Sequence, residues 1–333
     1  DDLFATLRLA IEEGLSIIFI SHKLHEVMAI ADRVVVLRRG KMAGGVDTKD
    51  TDKNALAVMM MGTEATPPEV SPAKPGAPLL ALSKVTTPDV GSVPGLKSVS
   101  LALKAGQIVG LAGVSGNGQA AMADVVGGLL SPSDGQVILG SETVQKWTPR
   151  VAVQSGIARI PEDRHKKGTI ADFDLIENAI LERYKSPAFS KGGWMNWRKS
   201  RAFADGIIDK YDVRCPGSDT PIRLLSGGNM QKLILGRVLE ADPQIILANQ
   251  PVRGLDIGAV NYVHSRLLSA RERGAAVLLI SEDLDEVMAL SDVIHVIADG
   301  RLSPEFKRGE MTPAQLGLWM AGQGFEADIA HAS

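Results

Sequence analysis

An unbroken apolar stretch, Ile108-Val109-Gly110-Leu111-Ala112, runs straight into a glycine-rich turn, Gly113-Val114-Ser115-Gly116-Asn117-Gly118-Gln119-Ala120, and then into a helical pattern near 121–126. Strand, glycine loop and helix in that order are the setting of a phosphate site. Backbone N–H groups converge in the turn, and the helix dipole favours an anion. With helix and strand alternating further along the chain, this places the fold in the α/β class. The glycines stand where a GxxxxGK[ST] loop has them, yet Gln119 replaces the lysine and Ala120 replaces the Ser/Thr. The lost ammonium removes a charge-assisted contact of about 1.5–3 kcal/mol. The lost hydroxyl removes a ligand for Mg²⁺. A glycine turn that binds nothing is the plain structural alternative.

The same blunting recurs elsewhere. Gln244-Ile245-Ile246-Leu247-Ala248-Asn249-Gln250-Pro251 has the shape of a buried strand ending at a phosphate site. A hydrolytic site would hold Asp and Glu at 249 and 250, one for the metal-bound water and one to polarise the attacking water. Asn249 and Gln250 keep the shape without the charge, and neither acts as a base at neutral pH. In contrast, Leu225-Ser226-Gly227-Gly228-Asn229-Met230-Gln231-Lys232 is intact as a helix start, with the helix expected from about Asn229 to Leu239. Ser226 with bare backbone behind it is suited to grip a γ-phosphate. Alone it could equally be an N-cap. Its spacing, 108 residues after Gly118 and 23 before Asn249, favours the phosphate reading.

A repeat joins the two ends of the chain. Ile17-Ile18-Phe19-Ile20-Ser21-His22-Lys23-Leu24-His25-Glu26-Val27-Met28-Ala29 matches Val277 to Ala289 at a constant offset of 260 residues, Ser21 to Ser281, and Asp32/Asp292 and Gly40/Gly300 continue it without a gap. Each copy predicts a buried strand, a short amphipathic helix and a second strand. His22 in the first copy corresponds to Glu282 in the second. Almost nothing precedes the first copy, so residues 1–62 are expected to be the tail of a duplicated domain. Residues 63–78, with Pro67, Pro68, Pro72, Pro75 and Pro78, predict a semi-extended linker. Residues 79–310 predict a complete α/β domain with a helical insertion at about 165–230, and 311–333 a helix and polar tail. Trp194 and Trp197 read as packing residues of that insertion.

Composition excludes other classes. The net charge of −3 and the absence of basic runs give no footprint for nucleic acid. No apolar run reaches the roughly 18 residues of a membrane span. No signal peptide opens the chain. A single cysteine, Cys215, cannot form an internal disulfide and fits a reducing compartment. The histidines have no metal-ligand spacing.

Taken together, these motifs resemble the ATP-binding subunit of bacterial ABC importers of the tandem-cassette type, in which two cassettes are fused and the cargo is a simple sugar or a nucleoside. Ile160-Pro161-Glu162-Asp163-Arg164-His165 is similar to that family's second-cassette Q-loop segment, with Glu162 where Gln is usual. Arg253-Gly254-Leu255-Asp256 resembles its D-loop, and Gln250-Pro251 with residues 253–259 looks most like the nucleoside-importing branch. The resemblance implies a P-loop NTPase cassette: a RecA-like core, an antiparallel β subdomain and a helical subdomain. It implies ATP and Mg²⁺ as cofactors, the Mg²⁺ chiefly at the site built on the first cassette. It also implies integral-membrane permease partners, an extracytoplasmic substrate-binding protein and a peripheral place on the cytoplasmic side of the plasma (inner) membrane. Cassettes of this family pair head to tail, so each ATP lies between one phosphate loop and the other cassette's signature. One expected site then combines the first cassette's phosphate loop and His22, near the γ-phosphate, with Ser226, Gly227, Gly228, Asn229 and Gln231. The blunted site holds Gly113, Ser115, Gly116, Asn117, Gly118, Gln119, Ala120, Glu162, Asn249, Gln250, Asp256 and Glu282. This chain alone is expected not to turn over ATP. Two rivals are a nucleotide-binding regulatory or scaffold cassette and a soluble ABC ATPase acting on nucleic acid, the latter disfavoured by charge.

Overall fold

The computed structural model describes residues 2–21, 24–38, 40–62, 70–91 and 93–325. They form two compact units, Asp1–Glu69 with Gly254–Tyr262, and Val70–Arg253 with Val263–Ser333.

The second unit is built on a sheet whose strands lie in the order Arg301–Leu302, Val293–Ala298, Ile108–Ala112, Ala276–Ser281, Ile245–Asn249 and Ile157–Ile160, with Phe306–Lys307 also paired to Val293–Ala298. The four long strands and Ile157–Ile160 are mutually parallel. Parallel strands are covered on both faces and read as continuous apolar runs. All six residues of Ala276–Ser281 are buried accordingly. Side chains alternate between the faces. Val109, Leu111, Leu278 and Ile280 join Met122 and Val125 in the larger core. Ala112, Ile294 and Val296 pack with Val287 and Leu316 in a second one. A four-stranded antiparallel sheet, Val99–Lys104, Pro78–Thr86, Asp134–Leu139 and Glu142–Thr143, completes the core region.

Between Ile160 and Ile245 the chain becomes mainly helical, with helices Leu175–Ile180, Trp197–Lys210 and Gly227–Leu239. Two buried polar residues tie these together. Asn178 donates to the carbonyls of Ile170, Phe173 and Asp174. Buried Arg237 donates to the carbonyls of Asn178 and Gly168, at 3.2 and 3.0 Å. The region also contains a hairpin, Ser190–Lys191 against Trp194–Met195. Its turn residues Gly192 and Gly193 have φ of +58° and +85°, which glycine adopts without steric cost. Here the reading of Trp194 and Trp197 as packing residues is corrected: their side chains are 84% and 53% exposed. The hairpin lifts Trp194 off the helices, and Phe189 and Phe203, 5.1 Å apart, fill the space beneath.

Proline-rich residues 63–69 lie outside the described residues, but 70–77 are not a free tether. Arg271 donates to the Ser71 carbonyl and hydroxyl, and Gly76 N–H donates to the Ala105 carbonyl. A strand already starts at Pro78. At the other end, a capping box between Thr312 and Gln315 starts the helix Pro313–Met320. Trp319 of that helix packs between Phe306, at a tilt, and Phe325, edge-on.

In the first unit the duplicated pattern reappears with its offset kept. Helix Leu24–Ile30 answers Leu284–Leu290, and strand Arg33–Arg38 answers Val293–Ala298. The hydroxyl of Ser21 donates to Glu26 at 2.9 Å, as Ser281 does to Glu286 at 2.6 Å. The first strand does not reappear. Residues 17–20 belong to no strand, and Ile18 and Ile20 are each 93% exposed. A strand exists only through a ladder. Val277–Ser281 has neighbours on both sides, whereas among the described residues of the first unit no strand flanks 17–20.

Candidate nucleotide site

The carboxyl ends of adjacent parallel strands are where α/β sheets bind ligands. Register brings Ala112 level with Ser281, and Ile280 level with Asn249. The glycine loop, the turn carrying Glu282, and Asn249-Gln250 therefore emerge side by side. Ser281 fixes its turn twice over: its hydroxyl accepts from Asp283 N–H and donates to buried Glu286, which also meets His264 Nε2 at 2.9 Å. Glu282 itself is exposed. Gln250 has φ of +51°, a left-handed conformation rare outside glycine. It is held there by its N–H on the Ile280 carbonyl and by Arg253 N–H on its own carbonyl.

Within the glycine loop the decisive side chain is Gln119, the first residue of helix Gln119–Val126. Its Nε2 donates to the Val114 carbonyl at 2.8 Å, and its Oε1 accepts from Asn117 N–H at 3.1 Å. Asn117 Nδ2 also donates to Val114, while the Asn117 Oδ1 and carbonyl accept from Asp299 and Gly300. The loop is thus laced shut by neutral amides. The Asn117 N–H is engaged inside the loop, by Gln119 Oε1 and the Val114 carbonyl, and Gln119 carries no charge. Ala120 offers no hydroxyl, and Asn249 and Gln250 offer no carboxylate. The pocket thus lacks the ammonium, hydroxyl and carboxylates that hold Mg²⁺-bound nucleotide phosphates.

The second element is the helix Gly227–Leu239, with Ser226 at its N-cap. It starts two residues before the expected Asn229. Ser226 does not cap the helix with its side chain. Its Oγ accepts instead from Asn229 Nδ2 at 3.0 Å, which leaves the hydroxyl hydrogen and the first helical N–H groups for an outside acceptor. Asn229 Oδ1 accepts from Arg214 N–H. Gln231 is buried, its amide donating to the Pro251 carbonyl at 2.8 Å, so it braces the helix against the end of strand Ile245–Asn249.

Sequence reasoning left out Arg164. Its guanidinium lies over Gly227, where a Cβ would stand 2.6 Å from Nη2, so a larger residue there would push the guanidinium away. Arg164 Nη1 donates to the Arg253 carbonyl at 2.7 Å, and Arg253 pairs with Glu162 at 2.5 Å. Burial pulls the Arg164 guanidinium below its usual pKa. Asp163, held below the usual carboxylate range by the N–H of Lys166, caps the turn that presents Arg164. The one available signal was the pair of charges two residues apart, Glu162 and Arg164, in a segment already marked by resemblance. Asp256 accepts from Ala259 N–H and so caps helix Ile257–Glu272. His22 lies outside the described residues.

A RecA-like parallel sheet, an antiparallel sheet and a helical insertion bearing Leu-Ser-Gly-Gly define an ATP-binding cassette, and residues 96–253 match the family described as "ABC transporter". The second unit has the fold of an ATP-binding cassette. Solved cassettes share the fold: a nucleotide-free ATP-binding cassette from an ABC transporter superposes with a TM-score of 0.60 at 21% identity, over 73% of this chain and 98% of that one. A dimeric post-hydrolysis state of the cassette MJ0796 bound to ADP and Pi gives 0.58 at 23%, over 70% and 100%. More particularly, the chain is similar to import ATP-binding proteins. It is 42% identical to the guanosine import ATP-binding protein NupO of Bacillus subtilis, over 96% of this chain and 63% of that one. It is 38% identical to the glucose import ATP-binding protein TsgD13 of Haloferax volcanii (97% and 60%) and 36% to the nucleoside import ATP-binding protein NupA of Lactococcus lactis (96% and 64%). The chain thus spans 60 to 64% of the length of these relatives.

Proposed function

We propose that the chain is the C-terminal part of a tandem-cassette, ATP-hydrolysing subunit that energises import of nucleosides. The observation that carries this reading is a contrast inside one unit: the clasp at Ser226 keeps free donors, while Gln119 fills the cassette's own phosphate loop. A clasp without a usable loop beside it serves a nucleotide held by another cassette. Residues 1–62 are then the end of that first cassette, 63–78 the linker, 79–310 the second cassette with its helical part at about 165–230, and 311–333 a closing helix and tail. The matching helices, strands and Ser–Glu pairs at the fixed offset support the duplication.

In the competent site, Ser226 and the N–H groups of Gly228 and Asn229 hold the γ-phosphate, and Arg164 adds positive charge beside Gly227. Negative charge gathers on these oxygens during phosphoryl transfer, so donors fixed in advance stabilise the transition state more than the ground state. Mg²⁺ and the water-activating groups, His22 among them, belong to the first cassette. Partners are a membrane-spanning permease and, through it, an external binding protein, and the subunit sits peripherally at the cytoplasmic face. The import proteins of guanosine and of nucleosides among the relatives support nucleosides as cargo, with simple sugars as the second reading on the glucose relative.

ATP turnover by this chain and by a polypeptide extended upstream through a first cassette tests the reading. The chain alone should be idle and the extended protein active. Ser226→Arg should abolish that activity, and Gln119→Ala should leave it standing. Turnover by the chain alone, or turnover surviving Ser226→Arg, would overturn the proposal.

A further inference from the structure

One lobe of the second unit differs chemically from the rest of the protein. Residues 183–204 contain six basic residues, Arg183, Lys185, Lys191, Arg198, Lys199 and Arg201, and no acid, in a chain of net charge −3. The same segment holds five of the chain's fourteen aromatic residues: Tyr184, Phe189, Trp194, Trp197 and Phe203. The nearest acids in sequence are Glu182 and Asp205.

The structure sorts these residues into a base and a face. Phe189 and Phe203 pack together with the Arg183 guanidinium 5.7 Å from each ring, and Arg201 is held by Asp219. Those residues anchor the lobe. The remainder point to solvent. Lys191 is the cross-strand partner of Trp194 in the hairpin. Asn196 caps the following helix through Lys199 N–H, which places Trp197 in its first turn. Pro187, Lys191, Trp194, Trp197 and Lys199 line a shallow cleft of about 400 Å³. Lys185, Lys191, Arg198 and Lys199 are exposed and enter no ion pair among the described residues.

Neither feature serves the fold. Two indoles in water forgo their apolar burial. Arg198 and Lys199 occupy the first turn of helix Trp197–Lys210, where the macrodipole favours acids and repels cations. Their value therefore lies outside the chain. Indoles ringed by lysine and arginine suit the headgroup region of an anionic bilayer. The ring body enters the apolar boundary, its N–H meets carbonyl and phosphate oxygens, and the cations meet phosphates.

We infer that the lobe formed by hairpin Ser190–Met195 and the start of helix Trp197–Lys210 binds the surface of an anionic phospholipid bilayer. This deepens the peripheral-membrane reading above and rests on it. The lobe is a second attachment, made by the cassette itself and independent of the permease.

The test is sedimentation of the purified chain with vesicles of phosphatidylcholine alone and of an equal mixture with phosphatidylglycerol, followed in parallel by tryptophan emission. Trp147 is buried and Trp319 half-buried, so a blue shift on binding reports Trp194 and Trp197. The chain should bind the anionic vesicles, shift to the blue, and be released at about 1 M salt, where the Debye length falls to about 3 Å. A near-surface cation contributes roughly fivefold, so Lys191→Ala with Lys199→Ala should weaken binding about 25-fold. Trp194→Ser should remove most of the blue shift at unchanged far-ultraviolet circular dichroism. Failure to bind anionic vesicles, equal binding to both kinds, or binding unaltered in these variants would overturn the inference. The assay uses neither nucleotide nor permease, so its failure leaves the ATP reading untouched, and failure of the turnover test leaves the lipid contact untouched.

Discussion

At the scale of single residues, Gln119 stands where a phosphate loop has lysine and makes two structural contacts instead. That the lysine is missing is visible in the sequence. What glutamine does instead is not, because its two hydrogen bonds span the loop and exist only once the loop has closed. Replacing it separates the two effects. Gln119→Lys with Ala120→Ser removes the two side-chain bonds that Gln119 makes across the loop and returns the cation and the hydroxyl. Calorimetry with ATP should then show a gain of about tenfold or more over the parent chain, the lower end of a charge-assisted contact. Ser281 offers a converse test. Ser281→Ala removes the 2.6 Å bond to Glu286 and leaves a buried carboxylate short of a donor. The change should cost about 1–3 kcal/mol in a urea titration, without a change of m-value. Arg164 shows the limit of reading by motif. Its role depends on a close approach to Gly227 from sixty-three positions away in the chain, which no local pattern encodes.

At the scale of elements, strands and helices with a strong one-dimensional signal were legible, and those made by partners were not. Ile108–Ala112 and Ile245–Asn249 could be read because a fully buried parallel strand is apolar at every position. Residues 17–20 carry the same signal and form no strand, because pairing is supplied by neighbours and not by composition. The tryptophan pair was misplaced for a related reason: aromatic residues usually pack, and two glycines in a hairpin turn lifted one of them clear. The strand Val293–Ala298 adds a pH dependence. His295 is buried, its Nδ1 donating to the Ser303 carbonyl at 2.9 Å. Burial drives its pKa below the ordinary 6.5, although the bond to Ser303 and the charge of Glu305 oppose this. The unfolded chain therefore takes up this proton at a higher pH than the folded chain. Stability from this group is present above about pH 6.5 and is lost as pH falls from there through the folded value. Urea midpoints measured from pH 7.5 downward should fall below pH 6.5 in the parent chain, and less steeply in His295→Asn.

At the scale of the whole molecule, the chain contains its own control. One sequence pattern occurs twice, once with a full sheet around it and once without. Hydrophobicity and strand propensity are nearly equal in Ile17–Ile20 and Val277–Ile280, so any difference in their protection reflects surroundings alone. In the second unit each amide of that strand lies in a ladder between Ile108–Ala112 and Ile245–Asn249, and opening it requires breaking the larger core. Its exchange with solvent deuterium should follow global unfolding. In the first unit the corresponding residues have no ladder, so they should exchange with almost no opening free energy. Hydrogen exchange read by mass spectrometry should place the two peptides several orders of magnitude apart in rate. On the duplication proposed above, extending the chain upstream through a first cassette should slow the first peptide towards the second and leave the second unchanged, because strands of such a cassette would supply the ladder. If the first peptide stays fast in the extended protein, the two copies do not share a fold, and the duplication would be one of sequence only.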